Sequence, residues 1–568
     1  MDPAVRLFLL ALVFKSSESL GDELVKNGGF ESMDHWGCWQ IQCSLTTDKH
    51  SGHHALKVTG RHNWYEGPSQ FIELTPGHLY TASGWVKLLS DQPGQPGQDV
   101  FLEIGYTYTD GSQYFFVAGS HNGVKTSDGW VHLTGNFDVP KKPTKEVRIY
   151  YQGPDPSVSF VVDDVSLKEI SPVSNWRHIS DSVINQTRKS DIHIHVTTAS
   201  HVKRADVEIH VLQKKRSFPL GTDVSYTAYN SNAAGGKFRA FLQRHFNWAT
   251  PGLPLKWHFT EQRRGQVNYQ DALTTIHGLR KQGLKVRGHN LVWSVKDYVQ
   301  DWLQQLSGNE LRTVVKQHII DIMNVTHGLL EHWDVNNENL HGTWYQDTLH
   351  DPDYDLELFR IAHHADPNVK LFLNEYGVVA GGHSTNDYLK QAQHFKAANV
   401  GLYGLGVQCH FPSEYAPEPS LIKKRLDVLA QAGLPIWVTE LDVQAQDENR
   451  RADFYETALR AVYGHPAVEG IVFWGFWDQA HWLGRKASLV QGDDMQMNAA
   501  GRRVFDLFEN QWTTDETHSL PTSGQLTVRG FHGDYEIRVM HQGRELANLN
   551  KTFTLAKGDH SVNINVHQ

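Results

Sequence analysis

The chain has 568 residues, more than a single hydrophobic core usually supports, so two or three domains are expected. Hydrophobic residues make up 39% and charged residues 20%, which is the composition of an ordinary soluble globular protein. The formal net charge of −10 argues against nucleic acid or an anionic membrane as a partner, and no segment is apolar for long enough to span a bilayer. A neutral polymer would be indifferent to this charge, and we expect a monomer.

Residues 1–21 have the three parts of a secretory signal peptide. Arg6 supplies a positive charge, an apolar run follows at Leu7–Phe14, and small residues come next at Ser16–Gly21. These features predict a secreted, extracellular protein. Sequons for N-glycosylation, which fit the same prediction, occur at Asn185, Asn324 and Asn550.

Three cysteines are too few for a disulfide framework. Cys38 and Cys43 are close enough in sequence to close a small disulfide loop in an oxidising compartment. Cys409 lies in the apolar run Gly404–Phe411, so we expect a buried thiol without a catalytic role.

Residues 22–170 have an all-β pattern of short alternating runs, separated by breaks rich in Gly, Pro, Asp and Asn. This spacing predicts a β-sandwich of roughly jelly-roll size. The predicted strands are His54–Thr59, Gln70–Leu74, Tyr80–Leu88, Phe101–Thr109, Tyr114–Ala118, Trp130–Phe137, Val147–Gln152 and Ser159–Leu167. Residues 171–214 are predicted to hold a linker and accessory strands: the linker is the polar stretch Ser171–Ser190, which contains Pro172, and the strands follow at Asp191–Thr198 and Ala205–Leu212.

In residues 215–514, apolar strand candidates alternate with amphipathic helical stretches such as Leu311–Leu330. The eight candidates are Pro219–Ser225, His245–Ala249, Lys285–Trp293, His332–Asn336, Lys370–Asn374, Gly404–His410, Pro435–Glu440 and Gly470–Trp477. A doubly wound sheet is the structural alternative, but eight strands in about 300 residues favour a (β/α)8 barrel. Residues 515–568 return to strand-like alternation and are predicted to form a small C-terminal β appendage.

In such a barrel, the polar residues at the C-terminal ends of the strands form the active site. Glu338 and Glu440 end the fourth and seventh predicted strands, so they can face each other across the barrel mouth. A carboxylic acid and a carboxylate are what cleavage of a glycosidic bond requires, and a separation of about 5–5.5 Å would make the enzyme retaining. From strand position alone, two salt-bridged structural glutamates remain an equal alternative.

Five segments of the predicted barrel combine strand ends with polar and aromatic residues: Arg287–Trp293, Trp333–Glu338, Gly406–Phe411, Val438–Val443 and Phe473–Asp478. In these segments the chain resembles glycoside hydrolase family 10, the endo-β-1,4-xylanases, especially the plant and animal type with N-terminal binding modules. The resemblance implies that Glu338 is the acid/base and that Glu440 is the nucleophile, with no cofactor in catalysis. The substrate-binding residues implied by the resemblance are Lys256, His289, Trp293, Asn337, Gln408, His410, Trp474 and Trp482.

One segment departs from the family pattern. The family usually has Glu-Asn-Glu-Leu-Lys-Trp after the second strand, whereas this chain has Gly252-Leu-Pro-Leu-Lys-Trp257. Gly252 and Leu253 therefore replace the Glu and Asn that normally hold glycone sugars. Because lost polar contacts relax discrimination, we expect weaker or broader glycone recognition. Xylan is the expected substrate, with β-glucan or cellulose as further plant-type polysaccharides.

The predicted sandwich has two characteristic segments, Asn27–Glu31 near its start and Val161–Leu167 at its end. In these segments it resembles carbohydrate-binding modules of families 4, 9 and 22. Such modules often carry a structural calcium, for which Glu31 and Asp163 or Asp164 are candidate ligands. Candidate sugar contacts of the module are Trp64, Tyr65, Tyr106, Tyr150 and Gln152.

Other function classes stay open at this point. An endo-β-1,4-glucanase would use the same carboxylates, and a non-catalytic carbohydrate-binding protein would use the sandwich with the barrel as a scaffold. A metal-dependent hydrolase fits less well, because the 34 histidines include no His-Glu-x-x-His motif.

Overall fold

The computed structural model describes residues 20–93, 97–412 and 416–567, which divide into two compact units. The first unit contains the chain up to Ser174 together with Gly381–Asp387, and the second contains the remainder. Residues 1–19 of the predicted signal peptide lie outside the described residues. In the described part of the chain, every helix is too short or too polar to cross a bilayer.

The first unit is an antiparallel β-sandwich, as predicted. Its strands are β1 (Leu20–Glu23), β2 (Gln42–Thr46), β3 (Ala55–Thr59), β4 (Ser69–Ile72), β5 (Leu79–Leu88), β6 (Gln98–Tyr108), β7 (Gln113–Val124), β8 (Val131–Asp138), β9 (Thr144–Gln152) and β10 (Phe160–Ile170). One sheet has the order β2-β3-β10-β5-β8, with β1 paired to β10, and the other has the order β4-β9-β6-β7. Cys38 and Cys43 form the predicted disulfide.

Strand alternation separates the core of the sandwich from its surface. In β6, the side chains of Val100, Leu102 and Ile104 are buried in one hydrophobic core shared by both sheets. Because successive side chains of a strand point to opposite faces, the odd-numbered residues of β6 face outward. Glu103 and Gly105 therefore belong to the outer face of the sheet β4-β9-β6-β7.

The predicted linker is wrong over much of its length, because α1 (Trp176–Thr187) is a helix of three turns. Ser180 Oγ in this helix donates a hydrogen bond of 2.6 Å to the Arg460 carbonyl. Arg188, at the end of the helix, donates to the carbonyls of Tyr463 and Val468. The apolar side chains of the helix do lie on one face, where Val183 and Ile184 are buried, but the polar composition of the segment and Pro172 before it favoured a linker. Two strands follow, β11 (Lys189–Thr198) and β12 (Val207–Arg216).

The barrel is closed and has eight parallel positions, as predicted. Its strands are β13 (Leu220–Asp223), β14 (Trp248–Thr250), β15 (Lys285–Gly288) continued by β16 (Val292–Trp293), β17 (His332–Asn337), β18 (Lys370–Glu375), β19 (Leu402–Val407) continued by β20 (His410–Phe411), β21 (Ile436–Val443) and β22 (Val468–Phe473). Pairing of β13 with β22 and of β15 with β17 completes the ring.

Helices surround the barrel strands. They are α2 (Tyr226–Asn230), α3 (Gly235–His245), α4 (Trp257–Thr260), α5 (Gln270–Lys281), α6 (Gly308–Val325), α7 (Trp344–Leu349), α8 (Tyr354–Ala365), α9 (Thr385–Ala397), α10 (Pro419–Ala430), α11 (Glu448–Tyr463) and α12 (Ala499–Asp506). A short hairpin of β23 (Val490–Gln491) and β24 (Gln496–Met497) precedes the last helix.

Bulky side chains fill the interior of the barrel. The rings of Trp248 and Trp437 lie 4.8 Å apart, and Phe372 and Val472 complete this buried cluster. His332 packs among the same aromatic rings, and burial, together with the nearby Arg287, lowers its pKa well below the ordinary value. The interior is therefore a packed core of the kind typical of this fold.

The accessory strands and the C-terminal appendage form one structure. The C-terminal strands are β25 (Asp515–Ser519), β26 (Gln525–Phe531), β27 (Gly533–His541), β28 (Arg544–Glu545), β29 (Lys551–Leu555) and β30 (His560–Val566). β11 lies between β26 and β30, and β12 lies between β25 and β27. The two small sheets bury a hydrophobic core of their own, which includes Ile194, Ile209 and Ile537.

Candidate active site

The two candidate glutamates lie at the same end of the barrel and share two neighbours. Asn374 Nδ2 donates a hydrogen bond of 2.8 Å to Glu440 Oε1 and another of 2.8 Å to Asn337 Oδ1, beside Glu338. Gln408 Nε2 donates to Glu338 Oε1 at 2.9 Å, and its carbonyl accepts the Glu440 N–H at 3.1 Å. These two amides connect the carboxylates of Glu338 and Glu440 across the barrel mouth.

Glu338 is held in an uncommon backbone conformation directly after β17. Its φ of +57° lies in the left-handed region, which costs a non-glycine residue about 1 kcal/mol or more. The turn is fixed by Glu375, a fully buried residue whose carboxylate accepts the Leu340 N–H at 2.6 Å and contacts His341 Nδ1 at 2.7 Å. The side chain of Glu338 accepts a 2.9 Å hydrogen bond from Trp293 Nε1, in addition to the one from Gln408.

Glu440 lies in an environment that is more buried and more positively charged than that of Glu338. Burial alone would raise its pKa, but the hydrogen bond with His410 (3.3 Å), the positive charges of His289 and His410 and the hydrogen bond from Asn374 lower that pKa to about 2. Burial also acts on His410, but the negative charge of Asp442 and the hydrogen bonds to Asp442 and Glu440 raise its pKa to about 10. Near neutral pH, Glu440 is an ionised carboxylate beside an imidazolium.

Asp442 links this ion pair to the predicted sugar-binding tryptophan Trp482. Its Oδ2 atom lies 2.9 Å from His410 Nδ1 and accepts a 2.8 Å hydrogen bond from Trp482 Nε1. The Trp482 side chain is nevertheless 63% exposed, so the polar edge of the indole is anchored while its face is accessible to a ligand. The ring of His410 lies 5.5 Å from that of Trp482.

The remaining predicted site residues lie at the same end of the barrel. His289 contacts Asp334 at 2.8 Å, and Arg287 forms an ion pair with the same carboxylate. The ring of Trp474 lies 5.1 Å from that of His289. Lys256 Nζ lies 4.5 Å above the Trp293 ring; burial lowers the pKa of this lysine, and the charges of the nearby carboxylates oppose the shift.

The Asn337 side chain has a hydrogen-bond donor that no described residue accepts. Its Oδ1 atom is occupied by Asn374, but its buried Nδ2 atom has no hydrogen-bond partner among the described residues. A buried donor of this kind is costly unless a ligand or water satisfies it. The arrangement suits a hydroxyl group of a bound sugar.

Two carboxylates of the site, Asp223 and Asp334, were absent from the polar residues predicted at the strand ends, whereas Glu375 and Asp442 were among them. Asp223 is the last residue of β13, but the predicted strand ran on to Ser225 and so placed Asp223 inside it. Its carboxylate accepts the Gly252 N–H at 2.9 Å. Burial raises the pKa of Asp223 to about 6, against the opposing charge of Lys256. A correct strand boundary would have identified this residue.

The candidate sugar contacts of the sandwich fall into three groups. Trp64 and Tyr65 are exposed, with rings 6.0 Å apart. Tyr150 and Gln152 are buried, at 5% and 4% exposed, and lie against the Glu103 carboxylate, to which the Tyr150 phenol donates a hydrogen bond. The prediction for Tyr106 is wrong, because its side chain is 1% exposed and packs in the sandwich core on the same side of β6 as Ile104.

Three residues of the outer face were absent from the prediction. Phe71 and Phe115 are 68% and 45% exposed, and Arg148 pairs with Phe71 on one side and with Gly105 on the other. Gly105 in turn pairs with Phe115. Phe71, Arg148, Gly105 and Phe115 therefore form a row across four neighbouring strands, with the phenyl groups at its two ends. Burial raises the pKa of the nearby Glu103 carboxylate.

The predicted calcium ligands approach one loop from two sides. Glu31 Oε1 accepts the His53 N–H at 2.6 Å, and Asp163 Oδ2 accepts the His50 and Ser51 N–H groups at 2.9 and 3.1 Å. These are oxygen donors of the kind calcium prefers. In the described ranges, however, no three acidic, histidine or cysteine side chains are grouped as a metal site would require, and calcium stays a prediction.

Comparison with known proteins agrees with this geometry. The model of glycosyl hydrolase family 10 matches residues 210–507, and the model of a carbohydrate binding domain matches residues 22–157. Endo-1,4-beta-xylanase 2 of Arabidopsis thaliana is 32% identical over 521 residues, which cover 90% of this chain and 46% of that protein. Endo-1,4-beta-xylanase 3 of the same plant is 31% identical over 536 residues, which cover 92% of this chain and 68% of that protein.

Among solved structures, xylanase 10B from Thermotoga petrophila RKU-1 in complex with xylobiose matches with a TM-score of 0.48 at 23% identity, covering 52% of this chain and 94% of that one. The chain spans about half the length of the first curated relatives it matches. The family match covers more than half of the chain and includes both candidate glutamates. The chain therefore belongs to glycosyl hydrolase family 10.

Proposed function

We propose that this protein is an endo-1,4-β-xylanase that cleaves xylan with retention of the anomeric configuration. The observation that carries the proposal is the contrast between the two linked glutamates: Glu440 is held ionised by His410, whereas Glu338 lies in a half-buried turn between Trp293 and Gln408. Two carboxyl groups with different environments are what a retaining glycosidase requires. The xylanase names of the Arabidopsis relatives support xylan as the substrate.

In the proposed first step, Glu440 attacks the anomeric carbon of the sugar and forms a covalent ester. The glycosidic bond breaks as Glu338 donates its proton to the leaving oxygen. In the second step, Glu338 takes a proton from water, the water oxygen attacks the anomeric carbon, and the ester to Glu440 breaks. Retention follows because the anomeric carbon is inverted twice.

The surrounding residues bind and orient the sugar in this proposal. The exposed face of Trp482 and the half-buried Trp474 offer apolar surfaces to the sugar rings, and Lys256, His289 and Asn337 offer polar atoms to the hydroxyl groups. Gly252 and Leu253 bring no polar side chain to the glycone side, which supports broader specificity. An endo-β-1,4-glucanase is the second candidate on that observation.

A substrate panel tests the proposed function. We expect the purified chain to release reducing sugar from soluble xylan faster than from mixed-linkage glucan or carboxymethyl cellulose, with internal cleavage visible as intermediate oligosaccharides. Proton NMR of xylo-oligosaccharide hydrolysis should show the β-anomer first. Faster release from the glucans would favour the glucanase, initial α-anomer would contradict retention, and binding of xylan without release would indicate a non-catalytic protein.

The positive charge of His410 gives a pH prediction. Replacing His410 by Asn removes a hydrogen bond and a charge that keep the pKa of Glu440 low, so that pKa should rise. Glu440 must be ionised to attack, so the acidic limb of the kcat/KM profile should move to higher pH by roughly one to three units. The control is His364→Asn on the exposed surface of α8. An acidic limb that stays in place would contradict this role of His410.

We further propose that the sandwich binds polysaccharide on its outer face. Exposed phenyl groups at Phe71 and Phe115 can stack on sugar rings, while the exposed Arg148 between them can donate hydrogen bonds to hydroxyl groups. A row of exposed aromatic side chains on one sheet is unusual unless a ligand covers it. The match of this region to a carbohydrate binding domain supports the assignment.

Truncating the two phenyl groups tests this surface. The double variant Phe71→Ala/Phe115→Ala should bind insoluble xylan about thirty-fold more weakly, because each of the two rings contributes on the order of 1 kcal/mol of contact. Depletion isotherms measure the binding, and hydrolysis of short soluble oligosaccharides should not change. Leu89→Ala, an exposed apolar residue just after β5 in the other sheet, is the control. Unchanged binding would place the ligand elsewhere.

We also propose that the protein is exported and glycosylated. The Cys38–Cys43 disulfide supports an oxidising compartment, and the sequon asparagines Asn185 and Asn324 are exposed. A monomeric state stays a prediction.

A further inference from the structure

Asp223 is a carboxylate at the barrel mouth to which the proposed mechanism gives no role. It ends β13 and is half-buried. Its Oδ1 atom accepts the Gly252 N–H, but its Oδ2 atom has no hydrogen-bond partner within the described part of the chain. Its charge, like those of Glu440 and Glu338, acts on the ammonium group of Lys256. A binding function would explain an acceptor left open at this position.

Gly252 and Asp223 compete for the same small volume. A Cβ atom at residue 252 would lie 2.1 Å from Asp223 Oδ1 and 3.4 Å from the Trp474 ring. The first distance is impossible for real atoms, so a side chain at residue 252 and the observed position of Asp223 exclude each other. The φ of Gly252 is not positive, so its backbone would accept another residue if Asp223 were absent.

The position of this volume connects it to sugar recognition. Gly252 replaces a glutamate that normally holds glycone sugars in the family, and the Asp223 carboxylate occupies the space in which that side chain would begin. The indole of Trp474 borders the same space. The family's glutamate after the second barrel strand is missing here at Gly252. The Asp223 carboxylate, at the end of the first barrel strand, therefore takes its place.

We infer that Asp223 is a specificity-determining residue of the glycone side, whose carboxylate accepts a hydrogen bond from a hydroxyl group of the bound sugar in place of the side chain missing at Gly252. The inference rests on the proposed glycosidase function. It also makes the proposed specificity more definite, because the contact to the glycone sugar is moved from residue 252 to Asp223 and is not simply lost. Asp223 and Lys256 together would offer an acceptor and a donor to neighbouring hydroxyl groups. Buried pairing of this kind discriminates strongly against sugars that lack the hydroxyl group.

A carboxylate exchange tests the inference. Asp223→Ala should lower kcat/KM on nitrophenyl β-xylobioside about ten-fold or more, the usual cost of a lost hydrogen bond to a charged group. Gly252→Glu alone should lose at least as much, because two carboxylates cannot share the volume. The double variant Asp223→Ala/Gly252→Glu should recover most of the loss. A purely structural role of Asp223 predicts no such recovery.

Two further measurements keep the test decisive. Xylobiose binding by calorimetry reports on Asp223 even in a chain that binds sugar without cleaving it, which separates failure of this inference from failure of the proposed function. Asp223→Asn serves if the alanine variant does not fold, and Asp301→Asn, exposed in the barrel unit, is the matched control. Folded Asp223 variants within two-fold of wild type in both kcat/KM and xylobiose affinity would overturn the inference, as would a double variant no better than Asp223→Ala.

Discussion

Replacing Glu440 by Gln should lower kcat on xylo-oligosaccharides by about 10⁴-fold or more, with the fold retained. An amide keeps the shape of the side chain but cannot attack the anomeric carbon, so the covalent intermediate cannot form. Asn374 can still contact residue 440, and His410 keeps Asp442 as an anionic partner. Single-turnover and steady-state kinetics measure the loss, and circular dichroism reports on folding.

The matched control is Glu310→Gln, an exposed glutamate on α6 that pairs with Arg264. This surface pair should contribute little to stability and nothing to the chemistry. A Glu440→Gln variant within a few-fold of wild type would remove Glu440 as the nucleophile. A variant that has lost its circular dichroism signal would instead require Glu440→Asp, which keeps the charge but draws it back from the sugar.

The barrel and its candidate pair of glutamates could be predicted because both depend on local patterns. Apolar runs alternating with helical stretches predicted all eight strand positions. Strand ends gave Glu338 and Glu440 as candidates, and the resemblance to the family implied their roles. Asp223 was missed because the predicted strand ran two residues too far, and strand boundaries decide which residues reach the site. Asp334 lies within β17, so a search of strand ends could not find it.

Other errors arose where packing decides the structure. The alternation of β6 could have shown that Tyr106 shares a face with Leu102 and Ile104, but an aromatic residue suits a core and a sugar contact equally well. The pairing of β11 and β12 with strands near the C-terminus joins residues more than 300 positions apart, which no local pattern records. The α1 helix was missed because its stabilising contacts, such as that of Ser180 with Arg460, are polar and distant in sequence.

The second large effect concerns Glu338. Replacing it by Ala should lower kcat on xylan by about 10²–10⁴-fold, because the leaving oxygen then departs without a proton and water attacks without a base. Aryl xylobiosides with good leaving groups need little protonation, so with them the covalent intermediate should still form and then accumulate. Burst kinetics and mass spectrometry of the trapped protein measure this change.

Azide should restore turnover of such aryl xylobiosides by the Glu338→Ala variant. The truncation leaves space between Trp293 Nε1 and Gln408 Nε2, which donate hydrogen bonds to the native carboxylate. These two donors suit a small anion. Azide bound there would attack the intermediate from the side opposite Glu440 and give a β-glycosyl azide. In Glu440→Ala, azide would instead replace the nucleophile and give the α-product. An α-azide from Glu338→Ala would therefore contradict both the assignment of the two glutamates and the retaining mechanism.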